Sequence, residues 1–331
     1  MAIDLSIIIV SWNVRDLLRG CLRSLCASLA AGSPEGGYLL GGRGVEVLVV
    51  DNASADGSAE MVRAEFPGVA LLEPGENLGF VAANNLALGR TRGRYVLLLN
   101  PDTVVPPDAL PTMLAYLEAH PEVGLVGPRL AYGDGAEQPS RRRFPTLASG
   151  LMESTLLEEW FPHNPWARRY RMEDLPPATA PQRVDWVAGA CLLVRSEAIR
   201  QVGLLDEAIF MYSEEVDWCR RLADAGWAVV YLPTVTVTHY EGRSSGQVRA
   251  ARQIHFDAGK VHYLRKHAGR LPAEALRAGL LATYVARLAI EGAKWLLGHK
   301  RPLRGERLGA YWGVLRSGLR YPVRREVPHG G

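Results

Sequence analysis

The sequence predicts an α/β fold: a mostly parallel central sheet flanked by helices, followed by a basic helical extension at the C-terminal end. Three observations carry that expectation. Short, continuous runs of β-branched and aliphatic residues recur through the first hundred positions, the pattern of strands buried on both faces. Stretches with apolar residues at helical spacing alternate with them. Three of the strand-like runs end in polar residues, where open parallel sheets bind their ligands.

Leu5–Ser11 (LSIIIVS) reads as the first strand, and Arg15–Ala30 as a helix, with Leu17, Leu18, Cys21, Leu22, Leu25 and Leu29 at helical spacing. Gly32–Gly44, rich in glycine and holding a proline, reads as a loop. Val45–Val50 is a second strand ending at Asp51, Ser58–Phe66 a helix, Val69–Leu72 a third strand and Gly79–Leu88 a further helix. Tyr95–Leu99 is a fourth strand running into Asn100-Pro101-Asp102. Seven prolines between Gly133 and Pro181 make the middle of the chain read as irregular. Regularity resumes with the apolar run Trp186–Val194, a helix around Ser213–Ala225 and a strand-like run through Val229–Thr238. From Gln247 onward the pattern is helical and increasingly basic.

The chain has 331 residues with 48% hydrophobic and 22% charged residues, enough for a large core in one or two domains. The net charge of +3 is small but unevenly placed. From Arg265 to the end there are 14 basic and 4 acidic residues, a local +10 that leaves −7 on the body. Such asymmetry points to an anionic surface as partner. Cys21, Cys26, Cys191 and Cys219 form no CxxC pair and read as free thiols of a reducing compartment. The N-terminus shows no basic n-region or cleavage site, so no signal peptide is expected, and no apolar run reaches the length of a spanning helix.

Three strand ends carry polar groups: Ser11-Trp12-Asn13, Asp51-Asn52-Ala53-Ser54 and Asn100-Pro101-Asp102. SWNVRD after the first strand has no glycine, so a dinucleotide-binding GxGxxG is missing, as is a P-loop. A strand-end Asp can accept the N3–H of uracil or thymine. A second one can hold a hard divalent cation that bridges two phosphates. Either segment alone is also ordinary turn chemistry.

Six segments in order carry a resemblance: VDNASADGS (Val50–Ser58), NLGFVAANN (Asn77–Asn85), YVLLLNPDT (Tyr95–Thr103), SRRRFPT (Ser140–Thr146), WVAGACLLVRSEAI (Trp186–Ile199) and GLLDEAIFMYSEEVDWCRRLADAGW (Gly203–Trp227). Together, over about residues 3 to 267, they resemble the family 2 glycosyltransferases, and within them the rhamnosyltransferase-like branch of bacterial cell-envelope polysaccharide synthesis. The resemblance implies a GT-A (nucleotide-diphospho-sugar transferase) fold, a UDP- or dTDP-sugar donor, a divalent cation (Mn²⁺ or Mg²⁺) and inversion at the anomeric carbon. It implies that Asp51 binds the base, with Ser11, Asn13, Asn77 and Asn100 in the same donor pocket. Asp102 matches the last position of the family's DxD metal motif, whose first position is here Asn100, an acceptor without charge. His239 matches a metal ligand. Glu214-Glu215 matches the family's Glu-Asp step, which makes Glu215 the general base, one methylene longer than the Asp of the pattern. The same two acids, with Asp217, also suit a helix N-terminus; Asp217 is otherwise a candidate for the acceptor or diphosphate. Arg141, Arg142 and Arg143 read either as partners of diphosphate or an anionic acceptor, or as a solvated basic loop. Trp186 reads either as a platform for a pyranose or as core, with Gly189 allowing close backbone approach.

The expected organisation is a catalytic domain over 1–245, with a nucleotide-sugar half to about 105 and an acceptor half from 106, then a helical region over 246–331. In that region apolar and aromatic residues such as Leu280, Tyr284, Trp312 and Leu315 alternate with arginines. It reads either as an interfacial helix pair on anionic lipid, or as a hairpin packed on the body or on a second copy in a homodimer. The expectation is an inverting, metal-dependent transferase at the cytoplasmic face of the cell membrane, acting on a lipid-linked saccharide, with no nucleic-acid partner. Two rivals are a sugar nucleotidyltransferase, which would need a Gly-rich basic loop where SWNVRD stands, and a non-catalytic saccharide-binding protein of the membrane.

Overall fold

The structure, a computed structural model, describes residues 2–33, 36–241, 249–298 and 300–320. Parts of the expected C-terminal region, 246–248 and 321–331, lie outside the described residues. The chain divides into two compact units: one of Met1–Phe144, Arg171–Leu205 and Glu215–Ser244, the other of Pro145–Tyr170, Asp206–Glu214 and Ser245–Gly331.

The first unit is built on a mixed sheet. Its elements begin with β1 (Ile3–Ser11), α1 (Arg15–Cys26), β2 (Ala30–Ser33), β3 (Gly36–Leu40), β4 (Arg43–Asp51), α2 (Ser58–Glu65), β5 (Ala70–Leu72) and α3 (Gly79–Leu88). They continue with β6 (Tyr95–Leu99), β7 (Thr103–Val104), α4 (Ala109–Ala119), β8 (Val123–Ala131), β9 (Glu137–Gln138) and β10 (Arg141–Arg142). After α5 (Leu147–Ser154), α6 (Leu156–Trp160) and α7 (Pro165–Tyr170) of the second unit, the chain returns. It then forms β11 (Gln182–Val184), β12 (Trp186–Val187), β13 (Cys191–Arg195), α8 (Ser196–Val202), α9 (Glu214–Asp224) and β14 (Ala228–His239).

β1 lies between β4 and β6, parallel to both, and β5 extends the parallel set beyond β4. Side chains alternate across a strand, so odd residues of β1 and β4 share one face. Leu5, Ile7, Ile9, Val45, Val47 and Val49 there join one core cluster with α1 and α4. The even face is covered by α3, which is how Ile8 and Val50 also come to be fully buried. Buried on both sides, β1 and β4 are mostly apolar, and the polar register pair within them, Ser6 and Glu46, is satisfied by a bond from the Ser6 hydroxyl to the Glu46 carboxylate at 2.6 Å.

The sheet is mixed because β13 enters antiparallel between β6 and β8, while β14 runs parallel to β8. The apolar run Trp186–Val194 is thus not one strand but β12 and β13, broken at 188–190. The stretch Gly32–Gly44, expected as a loop, instead supplies most of a hairpin on the β4 edge. Gly41 (φ 55°) and Gly42 (φ 85°) turn β3 into β4 in the left-handed conformations that a tight hairpin requires.

The second unit packs α5–α7 with α10 (Arg249–His267), α11 (Arg270–Leu296) and α12 (Arg301–Ser317). The Pro-rich middle, expected to be irregular, therefore holds three short helices. Thr146 and Ser149 form a reciprocal cap at the start of α5. Gly150 meets Leu276 of α11, where a Cβ would stand 3.2 Å from a Leu276 methyl, so the two helices approach closely. Between α10 and α11, the Tyr284 hydroxyl donates to buried Asp257 at 2.6 Å.

Asp206 ties its loop to α10 by accepting from His262 (3.2 Å) and Lys266 (2.7 Å). These bonds, the one from His262 first, hold the Asp206 carboxyl far below the carboxylate range despite partial burial. A depressed acid stabilises the fold above its unfolded pKa, near 3.8, and that contribution fades as pH falls towards the folded value. Asp206→Asn is therefore expected to cost about 1–3 kcal/mol at pH 7. Thermal melts at pH 7 and pH 3 check it: the gap between variant and parent narrows at the lower pH.

Candidate active site

The site builds up from the carboxyl ends of β1, β4 and β6, in the first unit. Ser11 and Asp51 face each other as the last register pair of β1 and β4. Both are buried, and among the described residues Ser11 Oγ and Asp51 Oδ1 meet no hydrogen-bond partner, while Asp51 Oδ2 accepts from the Ser54 amide at 3.0 Å. A buried polar atom without a partner costs on the order of 1–3 kcal/mol, so this pair is arranged for a ligand that supplies the missing bonds.

The loops after β1 and β4 are laced together around that pair. Asn13, at φ 52°, donates its amide to Ser54 Oγ (3.0 Å) and accepts from the Ala55 amide (2.8 Å). Asn52 donates to Ser11 O at 2.8 Å through its backbone, so the two strand ends stay in register past the last pair. Ala53 holds φ 61°, a strained left-handed conformation for a residue with a Cβ. Asn77 is exposed, and its side-chain oxygen accepts from Asn52 Nδ2 (3.0 Å) and the Gly79 amide (2.9 Å). Asn52 was not singled out from sequence, yet it ties the Asn77–Gly79 turn to the end of β4; its place within DNAS was the available signal. A recess of about 350 Å³ opens beside Asn13, between Arg15 and Asp56.

The end of β6 carries a second constellation. Asp102 is buried, and its Oδ1 lies 3.3 Å from His239 Nε2. The topology makes this meeting: β14 runs past β8 and pairs with β7, which sets His239 opposite Thr103. His239 Nδ1 faces Gln138 Oε1 at 2.9 Å, and Gln138 Nε2 donates to Glu241 Oε2 at 2.9 Å. The carboxylate fixes which way the amide points, and the amide oxygen can only accept, so the ring hydrogen sits on Nδ1. In the neutral ring Nε2 then carries the lone pair, and it faces the Asp102 carboxylate, with Asn100 Nδ2 at 3.4 Å. Two acceptors turned towards each other suit a cation. Gln138 was missed from sequence, where nothing local marks it. Behind the site, burial pushes the Cys21 thiol up to about 12, so it stays protonated 3.5 Å from Thr103 Oγ1.

Because β13 is antiparallel to β6, the turn before it reaches the same place: the Asn100 amide donates to Ala190 O at 2.9 Å. On that turn, a Cβ at Gly189 would stand 3.6–3.8 Å from Glu215 Cβ, Cγ and Cδ, so the Glu215 side chain lies over the glycine. Glu215, on the first turn of α9, is thereby brought to the strand end that carries Asn100 and Asp102.

The remaining expected residues are placed as follows. Glu214 is buried at the first position of α9 and belongs to the second unit. Asp217 is fully buried and paired with Arg221 at 2.9 Å, whose other nitrogens hold Val202 O and Leu204 O. Arg141 bonds Gln182 and Pro176 O, Arg142 bonds Arg141 O, and Arg143 pairs with Asp174 at 2.7 Å. Trp186 is buried and donates its indole N–H to Arg143 O at 2.9 Å.

Comparison with known proteins bears on the family and the fold. The model of the family described as "Glycosyl transferase family 2" matches residues 6–187, more than half of the chain. An N-acetylglucosaminyl-diphospho-decaprenol L-rhamnosyltransferase of Mycobacterium tuberculosis is 37% identical over 239 residues, 69% of this chain and 77% of that protein. The rhamnosyltransferase WbbL of Escherichia coli is 29% identical over 172 residues, 49% of this chain and 61% of its own. Among solved structures, a mannosyltransferase of Pyrobaculum calidifontis in complex with GDP-mannose and Mn²⁺ superposes with a TM-score of 0.53 at 18% identity, over 95% of this chain and 84% of that one. That likeness extends the GT-A fold to this chain. The strand-end acids, the strand order and the match over residues 6–187 lead to one conclusion: the chain belongs to glycosyltransferase family 2.

Proposed function

We propose that this glycosyltransferase moves a sugar, rhamnose or a similar hexose, from a UDP- or dTDP-sugar to a lipid-linked saccharide, with inversion and with a divalent cation. What supports the reading above all is one arrangement: His239 Nε2 lies near Asp102 Oδ1 and Asn100 Nδ2, and Glu215 lies over Gly189, next to the residue that accepts from the Asn100 amide.

Asp51 Oδ1 and Ser11 Oγ, buried and without partners, suit the N3–H and an oxygen of a uracil or thymine ring. Asp102 and His239 are the residues that would hold the cation, a carboxylate oxygen and an oriented imidazole nitrogen. Among the described residues no group of three or more His, Cys, Asp or Glu is gathered for a metal. Two protein ligands fit a cation that completes its shell with the donor's diphosphate and water, as Mg²⁺ and similar ions do at phosphate sites. When bound there, the cation offsets the charge that develops on the leaving diphosphate. Glu215 takes the proton of the acceptor hydroxyl as its oxygen bonds to the anomeric carbon. The bond from that carbon to the diphosphate oxygen breaks in the same step, and the nucleoside diphosphate leaves with the electron pair.

The rhamnosyl donor and the polyprenyl-diphosphate-linked N-acetylglucosamine acceptor are supported by the name of the Mycobacterium tuberculosis relative. Mn²⁺ is supported by the neighbours solved with it. The test is turnover of a panel of UDP- and dTDP-sugars against a lipid-linked saccharide. Transfer is expected with Mn²⁺ or Mg²⁺, to vanish with chelator and to return when the ion is restored. Turnover indifferent to chelator overturns the metal assignment.

A further inference from the structure

The helical unit leaves several large apolar side chains exposed, among them Leu271, Val285 and Trp312, and two groups of them are close in sequence. The first is the link between α6 and α7, where Trp160 is 66% exposed, Phe161 56% and Trp166 52%. The second is the C-terminal end of α11, where Leu296 is 70% and Leu297 84% exposed beside half-exposed Trp295.

These two places lie along one helix. The Leu156 amide donates to Thr283 Oγ1 at 3.4 Å, and Arg287 donates to Glu159 at 2.7 Å. Both bonds set α6 against the 283–287 stretch of α11. Trp160 and Phe161 follow directly on Glu159 in the chain, and the end of α11 lies beyond Arg287. That end is nine residues on, roughly 14 Å at 1.5 Å per residue. From Arg287 to Arg320 the chain carries eight Lys or Arg against only Glu291 and Glu306. Glu291 is buried in a pair with Arg304, so its charge is matched within the unit. Arg301 lies 5.4 Å over the Trp295 ring.

We propose that the α6–α7 link and the end of α11 form one two-point contact with an anionic lipid bilayer. Tryptophan and phenylalanine would sit at the headgroup boundary, leucines below it, and the lysines and arginines would face lipid phosphates. Tryptophan favours that boundary, aliphatic side chains gain by leaving water, and each nearby basic residue adds attraction to anionic headgroups. A single apolar insertion binds a membrane only marginally, whereas two sites, or one site and a basic patch, hold it. Among the described residues no helix is long and apolar enough to cross a membrane, so the contact lies in the interface plane. It depends on the proposed lipid-linked acceptor only for the choice of a bilayer, rather than a protein, as occupant. A second copy of the chain would meet the same positive charge on the same face.

Flotation of the full chain with vesicles of phosphatidylcholine, alone or with 30% phosphatidylglycerol, tests it without donor or acceptor. The expected result is partition into the anionic vesicles only, weakened by salt. It falls about tenfold in Trp160→Ser/Phe161→Ser and, separately, in Leu296→Ser/Leu297→Ser. Transfer to a water-soluble acceptor analogue is expected to stay unchanged in both variants, which separates this result from the transferase reading. No partition into anionic vesicles, or partition insensitive to both pairs, overturns it. So does self-association in sedimentation that the same substitutions abolish, since the face is then an interface between copies.

Discussion

Glu215→Gln is expected to lower kcat for sugar transfer by roughly 10²- to 10⁴-fold, the usual contribution of a general base. Donor affinity should remain nearly unchanged, because the amide keeps the shape and loses only the capacity to take a proton. Glu215 lies over Gly189, whose neighbour Ala190 receives the Asn100 amide, so its side chain stands on the turn before β13, beside the end of β6. Two further variants sharpen the test. Glu215→Asp draws the carboxylate back by one methylene and should fall between parent and Gln. Glu214→Gln changes a buried residue about 100° round the helix, and should affect folding more than the chemical step. Steady-state rates with saturating donor, alongside calorimetric donor affinities, read all three. A kcat within tenfold of the parent in Glu215→Gln would place the base elsewhere.

The parts of this site that could be read in the sequence are those whose physics is local. β1, β4 and β6 are buried on both faces, so they are mostly apolar runs, and the first polar residue after each run marks a strand end. Ser11, Asp51 and Asn100 became visible that way, with Asp102 two residues beyond. The strands β2 and β3 were not, although Gly41-Gly42 is a two-residue turn signal between β3 and β4. Both are short and glycine-bearing, and they are held by ladder bonds, β2 to β3 and β3 to β4, rather than by a side-chain pattern. The helices α5–α7 were hidden among prolines because each is too short to be stable alone, and packing holds them. The antiparallel entry of β13 has no local signature either, yet it brings the turn at Gly189 to Asn100. Gln138 is the plainest case. A glutamine in a two-residue strand acquires its meaning only when β14 sets His239 2.9 Å away, a hundred residues later in the chain.

Asp102 and Gln138 should therefore differ in degree on one measurement, the Mn²⁺ concentration at which UDP or dTDP binding reaches half its maximum. Asp102→Ala removes the carboxylate proposed to hold the cation and is expected to abolish metal-linked nucleotide binding, with sugar transfer falling at least as far as in Glu215→Gln. Gln138→Leu leaves both ligands in place but takes away the acceptor that keeps the ring hydrogen on Nδ1. The imidazole is then free to turn or to put its hydrogen on Nε2, opposite Asp102. Loss of such an orienting partner weakens metal affinity by about 10- to 100-fold. The expected pattern is a raised Mn²⁺ requirement with near-parental kcat once the ion saturates. A glutamine that served only packing would behave differently, lowering the melting temperature while leaving the Mn²⁺ titration where it was. Calorimetry of UDP binding across a Mn²⁺ series distinguishes these outcomes without turnover. If Asp102→Ala still binds nucleotide with the parent's metal dependence, the cation is held elsewhere, and the facing of Asp102 and His239 is a hydrogen-bonded pair of the fold.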